Sequence, residues 1–420
     1  MPHIQKCFHH ICRDESFGNI EAGASRRSEV KILADILYYS RDLTMAGELY
    51  QWILALDEGS LGKVHPDTLA TVYRMANVFR DQGKYDEALE WYRRALVGEE
   101  MSLRKGHPNT LATVYSMANV FRDQGKYDEA LEWYRRALAG QEMSLGKDHP
   151  NTLATVYSMA GVFGDQGKYG EALGWFRRAL VGQEIFLGKD HPDTLSTVYS
   201  MANVFRDQGK YDEALEWFRR ALVGEEMSLG KDHPDTLATV YSMANVFRDQ
   251  GKYDEALEWY RRALVGEEVS LGKDHPDTLT TVYSMANMFL RQGKYNEALE
   301  WYRRVLAGNE RSLGKEHPDT LSTVHGIANV FRSQGKYNEA LERYQRSLIG
   351  WEKSLGNDHP NTLAAVNNIA EVFRVQGEDD EALELFRRAL AGRENSLGKD
   401  HPDTLATSRS ITELLQKQRS

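Results

Sequence analysis

Nine histidines, His65, His107, His149, His191, His233, His275, His317, His359 and His401, stand 42 residues apart, each opening a His-Pro-Asp/Asn-Thr-Leu run. Imidazoles at neutral pH can ligate a metal or pass a proton. Ligands must converge, however, and residues one helical module apart are separated by roughly 20 Å if helices pack 8–10 Å from one another. The spacing therefore makes these histidines helix-entry residues. A second candidate is Cys7-Phe8-His9-His10-Ile11-Cys12 with His3 nearby, sulfur and imidazole within six residues. Zinc accepts such ligands, but the spacing matches no common structural zinc pattern and no second ligand pair follows, so a loose terminus is the simpler reading. Ser, His and Asp are plentiful, yet every candidate is copied from unit to unit. A nucleophile and its base need unique partners about 3 Å apart. The chain is expected to have no catalytic residue, no cofactor and no metal, and not to be an enzyme.

What positions these residues is a repeat. A strict 42-residue period from His65 to Asp400 gives eight units, and such a period marks stacked modules that cannot bury their apolar faces singly. Within a unit, Leu69, Val72, Met75, Ala76 and Phe79 recur at intervals of three and four, predicting a first helix over Thr68 to Gln82. Gly83 stops it. Asp86 or its neighbours cap a longer second helix, with Ala88, Leu89, Trp91, Tyr92, Ala95, Leu96 and Met101 as its apolar surface. Glu90 and Arg94 read as an ordinary i,i+4 surface pair, and Asp86-Glu87 and Glu99-Glu100 as solvated helix faces. Gly accepts the left-handed backbone that ends a helix and Pro suits the first turn of the next, as in Leu145-Gly146-Lys147-Asp148-His149-Pro150. Four segments follow: 1–22, a flexible N-terminal segment; 23–64, a degenerate capping repeat in which Ala46, Tyr50 and Leu54 keep the register; 65–400, the eight units; and 401–420, a C-terminal capping helix.

The net charge of −10 opposes a sequence-independent grip on nucleic acid, which needs clustered basic residues. No stretch reaches 18 apolar residues and Met1-Pro2-His3-Ile4-Gln5-Lys6 lacks the apolar core of a secretory signal, so no membrane partner and a cytoplasmic location are expected. Cys7 and Cys12 are the only cysteines, which leaves no disulfide framework.

The series Val72, Met75-Ala76, Phe79, Gly83-Lys84-Tyr85, Ala88-Leu89, Tyr92, Ala95-Leu96 resembles the small and large pattern of the tetratricopeptide repeat, departing in the eighth unit at Gly377-Glu378-Asp379. Its 42-residue length and Leu-Gly-Lys-Asp-His-Pro-Asp-Thr linker look like the variant of kinesin light chains, and of arrays attached to nucleotide-binding receptors of fungi and bacteria. The resemblance implies an all-α fold, a right-handed α-solenoid (superhelix) of antiparallel helix hairpins, with a protein or peptide partner. Residues 1–64 contain no sustained heptads, and no Gly-Lys pair is followed by Ser or Thr in a phosphate-binding loop. A protein-interaction scaffold therefore leads over a cargo adaptor of the kinesin light chain kind and over the ligand-sensing part of a receptor.

In such arrays the first helices line the concave side. Tyr73, Asn77, Arg80 and Asp81 share one face of the first helix, and their chemistry suits an extended peptide: Asn for backbone amides, Arg for a carboxylate, Tyr for flat contact. The expected groove residues are Tyr73, Asn77, Arg80, Tyr115, Asn119, Arg122, Tyr199, Asn203, Arg206, Tyr241, Asn245, Arg248, Tyr283, Asn287, Asn329 and Arg332, with breaks at Gly161, Gly164 and Leu290. Gly161, Gly164, Gly170 and Gly174 predict the softest unit of the array at 150–190.

Overall fold

The computed structural model describes residues 20–419. The metal candidate around Cys7 and Cys12 lies outside the described residues. The chain divides into two compact units, residues 1–209 and residues 210–420.

The first unit contains helices α1 (Ile20–Tyr39), α2 (Leu43–Ser60), α3 (Pro66–Asp81), α4 (Tyr85–Ser102), α5 (Pro108–Asp123), α6 (Tyr127–Ser144), α7 (Pro150–Asp165), α8 (Tyr169–Phe186) and α9 (Pro192–Asp207). The second contains α10 (Tyr211–Ser228), α11 (Pro234–Asp249), α12 (Tyr253–Ser270), α13 (Pro276–Arg291), α14 (Tyr295–Ser312), α15 (Pro318–Ser333), α16 (Tyr337–Ser354), α17 (Pro360–Gln376), α18 (Asp379–Ser396) and α19 (Pro402–Arg419). No strand occurs among the described residues. Within each unit every helix packs on the next in sequence, α1 to α9 in one and α10 to α19 in the other. The fold is all-α, built from antiparallel pairs.

The repeated histidines start the first helices. At His65 the backbone is extended, Pro66 takes the first helical position, and the Nδ1 of His65 accepts the N–H of Asp67 at 3.2 Å. The same cap recurs through His401. An acceptor at this place satisfies one of the orphan donors of the first turn. Second helices from α4 onward start without such help: Lys84 stands at the cap with no side-chain bond, while Asp86 and Glu87 lie in the first turn, where negative charge meets the positive end of the helix dipole. Gly83, at φ 75, makes the turn between the two helices. Arg104 adopts φ 102 where the other linkers have Gly, the left-handed region that a side chain disfavours.

Small residues set the close packing. Ala76, Ala88 and Ala95 are fully buried, and Tyr92 fills the space above them. Phe79 and Trp91 stack at 6.0 Å, half-buried at the edge of the core. Met101 is not core, being 75% exposed. Arg94 does not pair with Glu90; it reaches back to Glu58 of α2 and lies over Trp91 at 5.5 Å. The equivalent pairs Arg136–Glu100, Arg304–Glu268 and Arg346–Glu310 stitch neighbouring second helices in the same way. At the end of the second unit Ile411 and Leu414 of α19 cover Phe386.

Candidate peptide-binding face

The tyrosine column joins consecutive first helices. Tyr73 shares a hydrogen bond with Ser116 at 2.9 Å, Tyr115 with Ser158 and Tyr157 with Ser200 at the same distance, and in the second unit Tyr241 with Ser284 at 3.0 Å. Each ring also meets the buried aromatic of its own second helix, Tyr73 on Tyr92 at 5.6 Å and Tyr283 on Tyr302 at 5.5 Å. The column ends at His325, which is packed between Tyr344 and Trp351 and held by Asn368 Nδ2 at 2.9 Å. Burial pushes its pKa down to about 4, with Arg332 adding to the effect.

The asparagines are partly consumed by the fold. Asn77 and Asn119 accept the hydroxyls of Tyr92 and Tyr134, and Asn245, Asn287 and Asn329 accept those of Tyr260, Tyr302 and Tyr344 at 2.5–2.6 Å. One oxygen is thereby engaged and the amide nitrogen left over. Asn203 instead donates to the carbonyl of Tyr199 at 3.2 Å. Where Gly161 and Glu371 replace Asn, Phe176 and Phe386 replace the tyrosine, and Phe218 does so opposite the retained Asn203.

The arginines are paired rather than bare. Arg80, Arg206 and Arg248 each chelate the Asp that follows them, at 2.9, 3.0 and 2.8 Å. Arg122 crosses the space above Gly161, where a Cβ would stand 3.1 Å from its guanidinium, and binds Asp165 of the next first helix at 2.9 Å. Arg291 and Arg332, which Gln292 and Ser333 follow, form no ion pair among the described residues.

A third column runs through the second helices, masked in the sequence by its changing side chains. Asp57, Glu99, Gln141, Gln183, Glu225, Glu267, Asn309, Trp351 and Arg393 stand 42 residues apart near the ends of second helices, and all are buried. Glu99, whose acidic neighbour Glu100 suggests a solvated face, is instead buried at 4% exposure. Its period gives the reason, since with Tyr92, Leu96 and Leu103 it falls at i, i+4, i+7 and i+11 on the inward stripe. Each residue except Trp351, which has Ala365 there, is followed 14 positions on by a threonine: Thr155 donates to Gln141 at 2.7 Å, Thr197 to Gln183 at 2.7 Å, Thr281 to Glu267 at 3.0 Å. Arg393 reverses the polarity and donates to Thr407 at 2.6 Å.

Two cavities open on these columns. One, about 460 Å³, is lined in the first unit by Tyr38, Tyr39, Tyr73, Arg74, Asn77 and Glu99. The other, about 290 Å³, lies in the second unit between α13 and α15, with Tyr283, Ser322 and Thr323 at its walls and Asn309 at its floor. The floor residue sits at the same place in both. Burial drives the carboxyl of Glu99 upward and those of Glu225 and Glu267 to about 7, the Thr239 and Thr281 hydroxyls offsetting only part of it. Among the described residues no group of three or more His, Cys, Asp or Glu is arranged to hold a metal, and no helix is long and apolar enough to cross a membrane.

The tetratricopeptide repeat pattern matches residues 26–96, 110–184, 154–222, 193–266, 235–311, 277–348, 319–395 and 362–419. The chain belongs to the tetratricopeptide repeat family. Among curated proteins nothing matches it. Solved structures similar to this chain include the apo form of the quorum sensor NprR from B. thuringiensis, 15% identical with a TM-score of 0.60, covering 89% of this chain and 99% of that one. Aspartyl phosphate phosphatase F from Bacillus subtilis is likewise 15% identical, with a TM-score of 0.54, over 89% and 95% of the two chains. A repeat protein of Podosopora anserina, described as a kinesin light chain with nearly identical TPR-like repeats, is 26% identical with a TM-score of 0.43, over 49% of this chain and 98% of that one. Tetratricopeptide repeats carry protein interactions, and the columns above are the parts of this chain that differ in chemistry from a plain packed array.

Proposed function

We propose that the chain is a non-enzymatic scaffold that holds an extended peptide or protein segment along a concave groove floored by the first helices. The observation that carries this reading is the position of the two cavities. Both open between successive first helices beside the tyrosine column, at Tyr73 in one and Tyr283 in the other, and each has a buried polar residue of the floor column, Glu99 or Asn309, in its lining. An extended segment crossing such a face alternates its side chains, so every second one meets a recess while backbone groups meet amides and hydroxyls. The Nδ2 of Asn245 suits a peptide carbonyl, since its oxygen already accepts from Tyr260. Arg206 and Arg248 act as exchangeable partners, releasing Asp207 or Asp249 when an acidic group of the ligand arrives.

The test is a peptide display selection on the purified full chain, followed by affinity measurement on Arg206→Ala with Arg248→Ala. The selected peptides should bind this double variant about tenfold more weakly, a difference of about 1.4 kcal/mol. Arg219→Ala with Arg261→Ala, which removes the same charge from exposed positions of second helices, should leave affinity unchanged. Equal loss in both double variants, or none in either, would put the binding surface elsewhere.

A further inference from the structure

Asp57 and Glu267 are the same position in two repeats, and they are solvated differently. Asp57 is fully buried, and its carboxylate meets two partners: the Thr71 hydroxyl at 2.9 Å and the guanidinium of Arg27, whose Nε lies 2.5 Å away. Arg27 comes from the neighbouring first helix, α1, and its Nη2 extends to within 3.6 Å of Asp67 at the start of α3. One guanidinium therefore bridges a buried acid at the end of a second helix and an exposed acid at the start of the following first helix. The long side chain reaches this place with a quarter of its surface still exposed.

Around Glu267 both acids recur and the guanidinium does not. Glu267 takes the place of Asp57 and Asp277 that of Asp67, in the same relation along the chain. Thr281 donates to Glu267 Oε1 at 3.0 Å, as Thr71 does to Asp57. The other oxygen, Oε2, is buried and has no partner, although the residue is 95% buried at 5% exposure. Where α1 carries Arg27, α11 carries Leu237, which packs its methyls against Gly266 and brings no donor. A carboxylate in this condition has lost its water without gaining a cation. Asp277 stands nearby and raises the Glu267 carboxyl further.

The equivalent place in the following repeat is open to solvent. One repeat further on, the equivalent floor residue Asn309 lines the cavity of about 290 Å³ that opens between α13 and α15, together with Leu279, Tyr283 and Asp319, the equivalents of Leu237, Tyr241 and Asp277. The floor also varies from repeat to repeat in a frame that otherwise hardly changes: acid at Glu267, amide at Asn309, tryptophan at Trp351. Variation at the base of a recess, joined in the Trp351 repeat by His325 and Ala365, is what distinguishing one ligand side chain from the next requires.

We propose that the recess between α11 and α13 receives one arginine side chain of a partner segment, its guanidinium bridging Glu267 and Asp277 as Arg27 bridges Asp57 and Asp67; this rests on the groove reading above. The planar fork of arginine matches two carboxylates, and its aliphatic stem suits the Leu237 and Tyr241 walls. The chain's net charge of −10 favours the approach of a basic segment.

The probe is an acetylated, amidated Gly-Ser decapeptide with one central arginine, titrated by NMR into the full chain beside the same peptide with citrulline, which keeps the shape and removes the charge. The informative variant is Glu267→Gln. Gln141 and Gln183 already occupy this position with their threonine bonds intact, so the substitution keeps the fold. We expect the arginine peptide to bind Glu267→Gln about tenfold more weakly than the native chain, and the citrulline peptide to bind both equally and weakly. Glu258→Gln, which removes one exposed charge from the same helix, should change nothing. Equal binding of the arginine peptide to the native chain and to Glu267→Gln overturns the proposal, as does equal binding of the arginine and citrulline peptides, or the absence of saturable arginine binding to the native chain. Arg206→Ala with Arg248→Ala, assayed with the display-selected peptides, separates the two readings: unchanged affinity of those peptides for that variant, beside weaker binding of the arginine peptide to Glu267→Gln, supports the recess and sinks the groove.

Discussion

The repeat around Asp57 and the repeat around Glu267 share a backbone, a threonine and a packed leucine or arginine at the same register, and differ in how a buried charge is satisfied. At Asp57 the chain supplies its own guanidinium; at Glu267 it supplies none and the carboxyl rises to about 7. The lesson is that the helical frame is fixed by the residues common to all repeats, while the floor of each recess is free to change because its cost is local. A buried charge costs several kcal/mol unless it is paired or neutralised, which is within what one repeat interface can absorb.

The comparison breaks hardest if Arg27 is removed. Arg27→Ala leaves Asp57 buried and without its cation, and should lower the unfolding free energy by about 3–5 kcal/mol in urea titration. No loss would mean that the floor position does not matter electrostatically. The reverse experiment sharpens the contrast. The raised carboxyl of Glu267 favours the folded state only while protonated, so its contribution is complete below about pH 4.5 and is lost as pH rises through about 7. Glu267→Gln should therefore stabilise the chain by about 1–3 kcal/mol at pH 8, and the gain should vanish near pH 4.5. A gain independent of pH would assign it to packing instead.

Thr281→Val removes the hydrogen bond from Thr281 to Glu267 and should cost about 1 kcal/mol at pH 8, whereas the same change at Thr155, which donates to the neutral Gln141, should show no dependence on pH. The smallest effect concerns backbone rather than charge. Arg104 holds φ 102 in a linker where other repeats have glycine, and Arg104→Gly should raise stability by about 0.5–1 kcal/mol in the same titration.

Much of this architecture was legible in the sequence. The 42-residue period, the alternation of small and large apolar residues and the His-Pro starts led directly to paired helices, because helix periodicity and capping are local properties. The columns Tyr73, Asn77 and Arg80 were also found at their places on first helices. Their engagement was not: that Asn77 accepts from Tyr92 and that Arg80 chelates Asp81 depends on side-chain directions that sequence spacing leaves open. The floor column escaped for a different reason. Glu99 beside Glu100 looks like a solvated pair, and charge masked a position whose periodicity is that of the core. Its signal was available in the substitutions Asp57, Gln141, Asn309, Trp351 and Arg393, which keep one inward position polar or large while its neighbours stay constant.

The central claim is that a ligand segment lies along the first helices, over the floor of their recesses. Hydrogen exchange of the full chain with and without saturating arginine decapeptide tests it most directly. The account predicts added protection in α11 and α13, residues 234–249 and 276–291, with the exposed face of α12 unchanged; protection confined to second helices, or no change anywhere, would contradict it.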